Sequence, residues 1–498
     1  MKRIRRVFHV VSVALGYAVL VSLTAAALVL LGRWAQVTWF YAPLAPERLA
    51  EKERYLASLP AARDGAPNIV VVFFDDLGWG DLSSYGNRLI DTPRIDALAA
   101  EGVRMTAFYS ASPVCTPSRA ALLTGRFPIR TRTHQHVFMS DEQPAATVRK
   151  VLGLGNELVR DEILLPEVLS AAGYATGMVG KWHLGGRPGH RPNDFGFDFY
   201  YGVHWSNDML PLHVYRNDAI EERDERQPTD WIGGFHDEDL DAGDGIDQRT
   251  LTARYTDEAI SFVEQNRDRP FLLYFAHTFP HVPHFASREH AGSSEGGLYG
   301  DVVEDLDRSV GRLVDALARL GLDESTLIVV TSDNGADYNG SPGHLRGRKQ
   351  QTYEGGQRVP LIARWPGRIP AGIVTGAISM NTDLFPTFLG LAGLPLPTDR
   401  SIDGRDVAPV WLDGADSPNE VLFYMATATG ATDAVRDARF KYFAEAGTLG
   451  RRKPQLFLVD ADAEAHNLVS RYPEQARALA ERLAAWQASV EANPRGWR

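Results

Sequence analysis

Cysteine is almost absent from this chain. One occurs in 498 residues, Cys115, which excludes an intramolecular disulfide framework and a cysteine-built zinc site. An exported location stays open, because a chain this long can bury enough apolar surface to fold without cross-links. Positive charge is scarce too. The formal net charge is −11, and the five basic residues of positions 1–33 (Lys2, Arg3, Arg5, Arg6, Arg33) meet no acid, so setting them aside leaves the remainder at −16. A body that acidic lacks the basic footprint nucleic acid requires, and it repels long polyanions at range. An anionic ligand would have to be gripped by a local basic pocket. There is no internal repeat and no long low-complexity tract, and nothing after residue 31 repeats the long apolar run that precedes it.

Core material, by contrast, is ample. The composition, 44% hydrophobic and 23% charged, is that of an ordinary globular protein. The length fits one large domain with a smaller partner, or three small domains. The apolar run itself, Val7 to Leu31, holds 25 residues without Asp, Glu, Lys or Arg. As a helix it is about 37 Å long, against a hydrocarbon core of about 30 Å. A cleavable signal usually has an apolar core of about 7–15 residues. An uncleaved anchor over residues 1–33 is therefore favoured, its basic flank cytoplasmic and the body periplasmic or extracellular. Ala25-Ala26-Ala27 keeps signal cleavage and secretion open, although Leu28-Val29-Leu30-Leu31 follows at once.

Residues 34–66 read as a linker with a short helix between Pro46 and Pro60. Strands and helices then alternate. Ile69–Phe74, Val103–Tyr109, Ala175–Val179, Phe271–Phe275 and Leu327–Thr331 are predicted strands; Pro93–Ala100, Pro166–Ala172, Thr250–Asn266 and Asp301–Leu320 are predicted helices. The alternation predicts an α/β domain over residues 67–412, a mostly parallel sheet sandwiched by helices. From 413 to 498 the pattern changes. Glu420–Met425, Ala434–Phe443 and Gln455–Val459 read as strands, and Pro473–Val490 as a helix. That predicts a smaller antiparallel sheet with a terminal helix. Nothing in the sequence sets an oligomeric state.

Several predicted strands run straight into polar residues: Asp75-Asp76, then Lys181 and His183, then His277 and His281, then Asp333-Asn334. In doubly wound folds ligands collect beyond the carboxyl ends of strands. One cluster is expected there. Asp75, Asp76, Asp333 and Asn334 offer hard oxygens that suit Ca²⁺, with Mg²⁺ second, rather than zinc. Cys115 begins Cys-Thr-Pro-Ser-Arg-Ala-Ala-Leu-Leu-Thr-Gly-Arg, in which Pro117 suits a first helical turn and Gly125 a stop. Residue 115 is thus placed at a helix N-terminus, where an anion is favoured, and Arg119 lies one turn along on the same face.

This stretch resembles the signature of the formylglycine-dependent sulfatase family. Asp75-Asp76-Leu77-Gly78, Gly180 to Gly185, Pro280-His281-Val282-Pro283, Ser332-Asp333-Asn334-Gly335 and Lys349 to Gly356 follow in the order of that family, and Phe195 to Asp208 is most similar to its arylsulfatase A branch. The resemblance implies an alkaline-phosphatase-like fold and hydrolysis of an aryl or carbohydrate sulfate monoester. It implies that a maturation enzyme oxidises Cys115 to formylglycine, whose hydrate attacks sulfur. Asp75, Asp76, Asp333, Asn334 and residue 115 would hold one calcium ion. Arg119 and Lys181 would steady the formylglycine oxygens and the sulfate, His183 would take the proton when sulfate leaves, and Asp333 would serve as base. His281 and Lys349 would attend the ester oxygen, and Ser206 would contact sulfate. The partner is then a sulfated small molecule or saccharide, with the membrane reached through the N-terminal helix. Arg348, Gln350, Gln351 and Gln357 depart from the family pattern at the pocket rim. His277 reads as structural or as part of the rim, the former favoured, and His134 and His136 as solvated loop residues ahead of a place lining the pocket. Two other readings stand beside this one: a phosphonate or phosphate diester hydrolase of the same superfamily, and a membrane-anchored binding protein that has lost activity.

Overall fold

The structure, a computed structural model, describes residues 2–39, 45–134, 137–140, 142, 157–226, 245–426, 432–444, 453–460 and 463–498; for 2–12, 14 and 33–39 it describes the backbone alone. His136 and the basic side chains of residues 1–33 lie outside the described set.

Helices α1 (Lys2–Trp39) and α2 (Pro46–Ala57) come first. They are followed by β1 (Asn68–Phe74), α3 (Pro93–Ala100), β2 (Val103–Tyr109), α4 (Cys115–Thr124), α5 (Leu165–Ala171), β3 (Ala175–Lys181), β4 (Phe199–Val203), β5 (Val214–Arg216) and β6 (Ala219–Glu222). Next come α6 (Leu251–Gln265), β7 (Phe271–Ala276), α7 (Gly297–Arg319), β8 (Thr326–Ser332), β9 (Arg358–Arg364), β10 (Ile373–Thr375), β11 (Ser379–Met380), α8 (Leu384–Ala392) and α9 (Ala408–Asp413). The chain ends with β12 (Leu422–Met425), β13 (Thr432–Arg436), β14 (Phe440–Phe443), β15 (Gln455–Leu458) and α10 (Pro473–Ala492).

The large sheet has eleven strands in the order β10-β2-β9-β8-β1-β7-β3-β4-β5-β6, with β11 also on β2. Strands β8, β1, β7, β3 and β4 run parallel. Every residue of β1, β7 and β8 is buried, which explains their unbroken apolar sequences. Two sets of helices cover the sheet. Helices α3, α6 and α7 pack together, as do α4, α5 and α8, and β3 is touched by α6 from one set and α5 from the other. The register aligns the carboxyl ends: Phe74 faces Ser332, Phe73 faces Ala276, and Ala276 faces Gly180. The polar residues that follow these strands are thereby delivered to one edge.

Strand β9 has no counterpart in the sequence reading. It carries Pro360, which cannot donate to a ladder. Its place is a register shift, between pairs Met105–Leu361 and Phe108–Val359, where the missing N–H costs no ladder bond. Helix α7 starts four residues ahead of the expected Asp301. Gly297 and Gly300 made that turn look like loop, yet Tyr299 is buried in it and Asp301 ties back the incoming chain by accepting from Gly292 N and Ser294 N at 2.7 and 2.8 Å.

The segment 34–66 is no bare tether. Lys52 of α2 is buried, ion-paired with Glu167 at 2.6 Å and bonded to the carbonyls of Glu162 and Arg160 at 2.7 and 3.1 Å. In α1 the stretch Leu15–Gly32 is long and apolar enough to cross a membrane, and none of it is buried. At the other end, the expected strand Ala434–Phe443 is two strands. Asp437 accepts the N–H groups of Arg439 and Phe440, both at 2.7 Å, and turns the chain between β13 and β14. Strands β12 to β15 form an antiparallel sheet with α10 packed on β13 and β14.

Candidate active site

Cys115 is the first residue of α4, behind an extended Val114, and Gly125 ends the helix in the left-handed region at φ 67°. The N-terminus of α4 points at the ends of β1, β8 and β3. Cys115 Sγ–H donates to Asp75 Oδ1 at 3.2 Å. One donor atom from each of Asp75, Asp76, Cys115 and Asp333 can be drawn within 4.8 Å of all the others, and a second such group joins His281 to Asp75 and Cys115. Asn334 donates from Nδ2 to Asp76 Oδ1 at 2.7 Å and to Gly335 O at 2.9 Å, while its buried Oδ1 has no partner. An orphaned amide oxygen beside three carboxylates is the donor set a hard cation satisfies.

The cations of the cluster divide between the acids. Lys181 Nζ binds Asp75 Oδ2 closely and reaches Ser206 Oγ at 3.0 Å. Lys349 Nζ donates to Asp76 Oδ2 at 2.7 Å, and His281 Nε2 lies 3.7 Å from the same oxygen. Arg119 is fully buried. It donates to Asp333 Oδ2 from Nε at 3.1 Å and Nη2 at 2.8 Å, and to Lys181 O from Nη1 at 2.7 Å. Its guanidinium is held between Asp333 and the end of β3.

His183 and Asp76 both adopt positive φ, 59° and 68°. Such backbone is costly outside glycine and is concentrated at functional sites. His183 Nε2 faces Phe138 O at 2.9 Å, and a carbonyl can only accept, so Nε2 carries the proton. The buried Nδ1 has no partner and is the lone-pair nitrogen. His281 is the reverse case. Its Nδ1 faces Val282 O at 2.5 Å, which makes Nδ1 a donor and leaves Nε2 turned toward Asp76.

Burial and crowding set the charges. Burial opposes ionisation of Asp75, but Lys181, His281, Arg119 and Lys349 together hold its carboxyl well below the usual range. Asp333 goes the other way, to about 7, through burial and the neighbouring Asp75, with Arg119 opposing. Burial, then Asp333 and Asp75, push the Cys115 thiol well up, so the unmodified side chain is a protonated and poor nucleophile. Burial, Lys181 and Arg119 keep His183 neutral. Burial would lower Lys349, yet Asp76, Cys115 and Asp75 raise it well above the ordinary lysine value.

All the site residues expected from sequence meet here. His277 does not join them: it is enclosed by Phe74 and Phe275, touches Ser309 Oγ at 3.3 Å, and burial drops it to about 3. Among the described residues, no hydrogen bond links His134 to the cluster. Thr116 and Phe138 went unnoticed in the sequence. Thr116 Oγ1 donates to His183 O at 2.8 Å and accepts from Phe138 N at 2.9 Å, so the two residues fix the His183 loop. Thr116 lies inside the signature and could have been found there; a backbone carbonyl 45 positions from its histidine has no sequence signal. Of the rim departures, Gln357 is buried and donates to Ser110 O at 3.0 Å, and Gln350 donates its N–H to Pro113 O at 2.8 Å.

Comparisons with known proteins point the same way. A family model described as Sulfatase matches residues 67–394. The N-acetylgalactosamine-6-sulfatase of Canis lupus familiaris is 41% identical over 401 residues, 76% of this chain and 74% of that protein. Arylsulfatase A of Homo sapiens is 38% identical over 400 residues, covering 74% and 72%. The solved structure of Ps i-CgsB in complex with k-i-k-neocarrahexaose superposes with a TM-score of 0.72 at 27% identity, over 87% of this chain and 94% of that one.

Proposed function

The chain belongs to the sulfatase family and hydrolyses sulfate esters, and from that premise we propose that it acts on a carbohydrate sulfate, through formylglycine at position 115 and one calcium ion. The observation that carries the site assignment is the buried, unpartnered Oδ1 of Asn334 beside Asp75, Asp76 and Asp333 at the N-terminus of α4. The saccharide reading draws on the relatives: one is an N-acetylgalactosamine-6-sulfatase, and one solved neighbour holds a neocarrahexaose.

Asp75, Asp76, Asp333 and Asn334 Oδ1 would hold the ion, with residue 115 as a further ligand; the Cys115 Sγ occupies the place of a formylglycine oxygen. When present, formylglycine supplies a hydrated aldehyde as nucleophile and calcium neutralises charge on the sulfuryl oxygens. The remaining work falls to side chains of this chain. Lys181 and Lys349, each set on a different acid, meet the negative charge of the sulfuryl group from two sides, and the α4 N-terminus adds backbone N–H groups. Ser206, bonded to Lys181, lies within reach of the same group. Asp333, grouped with residue 115, is the carboxylate that would take a proton there. His281 Nε2, 3.7 Å from Asp76 Oδ2, gives a proton to the departing ester oxygen. His183 Nδ1, neutral and open, takes a proton from the residue 115 side when sulfate is released. Arg119 keeps Asp333 and Asp75 apart from one another and in register.

We propose further that α1 anchors the protein in a membrane with the body outside the cytoplasm. The decisive experiment is paired. The mass of the peptide containing residue 115 should be that of formylglycine, metal analysis should find about one calcium per chain, and the enzyme should turn over a hexosamine 6-sulfate but not a phosphodiester. A thiol at 115 in fully active protein, or zinc in the site, overturns the mechanism; a preference for the phosphodiester overturns the substrate.

A further inference from the structure

Lys349 stands on irregular chain. Residues 345–353 form neither helix nor strand, between β8 and a single helical turn, Glu354–Gln357. No ladder fixes such a stretch, so other contacts must. On the reaction side there are two, Lys349 N to Ala336 O and Gln350 N to Pro113 O, both 2.8 Å. Next to Lys349, Arg348 Nη1 donates to the carbonyls of Asp337 and Gly340 in the loop after β8, and the holds at the two ends of the stretch come from the C-terminal sheet and the chain just past it.

Lys441 of β14 is wholly buried. Its Nζ donates to Thr352 O at 2.7 Å and to Glu354 Oε1 at 3.0 Å, and faces Glu464 Oε1 at 3.2 Å. Glu464, also buried and at φ 57°, accepts Glu354 N on Oε2 at 2.8 Å, and its carbonyl accepts Arg346 Nη1 at 2.6 Å. Arg346 in turn stacks on Tyr353, 4.1 Å from the ring centre. Glu354 is flanked by Arg436 at 3.6 Å and Arg358 at 3.5 Å and accepts Tyr109 OH at 2.5 Å. Both ends of the stretch that carries Lys349 are thus clasped, Arg346 at one end and Thr352 with Glu354 at the other, by two residues distant in sequence. Buried charge clusters of this kind contribute little net stability against an apolar replacement, so stability alone does not account for it. What the cluster does deliver is a fixed location for one ammonium group, and a displacement of about 1 Å at a reacting centre can cost about 100-fold in rate.

We propose that Lys441 and Glu464 are positioning residues for Lys349: the C-terminal sheet sets where the cation beside the ester oxygen stands. The proposal rests on the role given to Lys349 above. The test is a cycle on the full-length, matured enzyme. Its members are Lys349→Ala, the pair Lys441→Met with Glu464→Gln, and all three together; each is assayed for kcat and KM on a nitrophenyl sulfate and an alkyl sulfate, and for calcium content and Tm. The paired change removes one positive and one negative charge, and leaves Glu354 its two arginines. Where the pair does not fold, Glu464→Gln alone takes its place in the cycle.

The pair should lower kcat/KM about 10- to 100-fold with calcium retained, and more so for the alkyl sulfate. In the Lys349→Ala background the same change should cost far less. If the losses multiply to within about twofold, the sites are independent and the proposal fails. It fails equally if the pair shifts Tm and leaves kcat/KM unaltered. Lys349→Ala alone tests the premise separately: with activity unaffected by that variant, the reading of Lys349 falls and the positioning role falls with it.

Discussion

His281→Ala should separate substrates by their leaving groups. The histidine sits on the Asp76 side, its Nε2 3.7 Å from Asp76 Oδ2 and its side chain 7% exposed. The other cation there is Lys349, 2.7 Å from the same oxygen. Asp76, Cys115 and Asp75 raise its pKa well above the ordinary lysine value, against burial, which makes it a weak proton donor. Lys349 serves a departing oxyanion chiefly through its charge. Removing His281 therefore takes away the acid and leaves the electrostatic half. General acid help is worth about 10²–10⁴-fold for a basic alkoxide and little for a nitrophenolate. With Lys349 still in place the loss falls at or below the bottom of that range, so an alkyl or sugar sulfate should lose about 10- to 100-fold more kcat/KM than a nitrophenyl sulfate, or about 1.4–2.7 kcal/mol. The control is His183→Gln. The step proposed for His183, sulfate release, is the same for every substrate. Its loss should lower kcat for all leaving groups alike. The assay is steady-state kinetics across a series of sulfates of graded leaving-group basicity. Identical slopes for the two variants would refute the division of roles, even with the sulfatase activity intact.

Asn334→Ala removes the orphaned oxygen, and metal analysis after dialysis should find calcium below stoichiometric, with Cys115 chemistry unchanged by mass; full occupancy would show that Asn334 is no ligand. His204 lies stacked 3.6 Å from Tyr215 with neither ring nitrogen bonded, and burial, Arg191 and His213 lower it to about 3. Its folded pKa is below its unfolded value of about 6.5, so its contribution is complete above pH 6.5 and is lost as pH falls toward 3, about 2 kcal/mol by pH 5. His204→Phe should flatten that part of the stability profile in chemical denaturation, and parallel profiles would count against the argument. A chain beginning at Ala45 should fractionate as soluble and active where the full chain is membrane-bound; one beginning at Ala61 should be less stable, because it lacks the buried Lys52.

The strands and the site were legible for one reason. Parallel strands buried on both faces are written as unbroken apolar runs, such as Ile69–Phe74, and each ends in the residues that carry the chemistry. Lys181 and Asp333 could be placed without any knowledge of what lay between them. What stayed hidden depends on contacts between distant segments. Strand β9 reads poorly because Pro360 speaks against a strand, and only the irregularity in β2 makes room for it. Helix α2 looks solvated, with nothing in its sequence to say that Lys52 meets Glu167. Arg119 was expected to steady the formylglycine oxygens and the sulfate, and its type and place in the helix fit that; the acids that its guanidinium also meets follow strands 40 or more positions away.

The burial of α4 has a consequence for the order of events in the life of the molecule. All ten of its residues are buried, Cys115 among them at 1% exposure. An enzyme that oxidised this cysteine would need access to it, and the folded protein offers none. If residue 115 becomes formylglycine, the change is made while the chain is still open, on its way out of the cell's synthetic machinery or soon after. Folding then closes the window. On that reading a molecule that folded too early would keep its thiol for good, and a preparation would carry a fixed ratio of competent to incompetent copies, set at birth and untouched by later incubation with a maturation system.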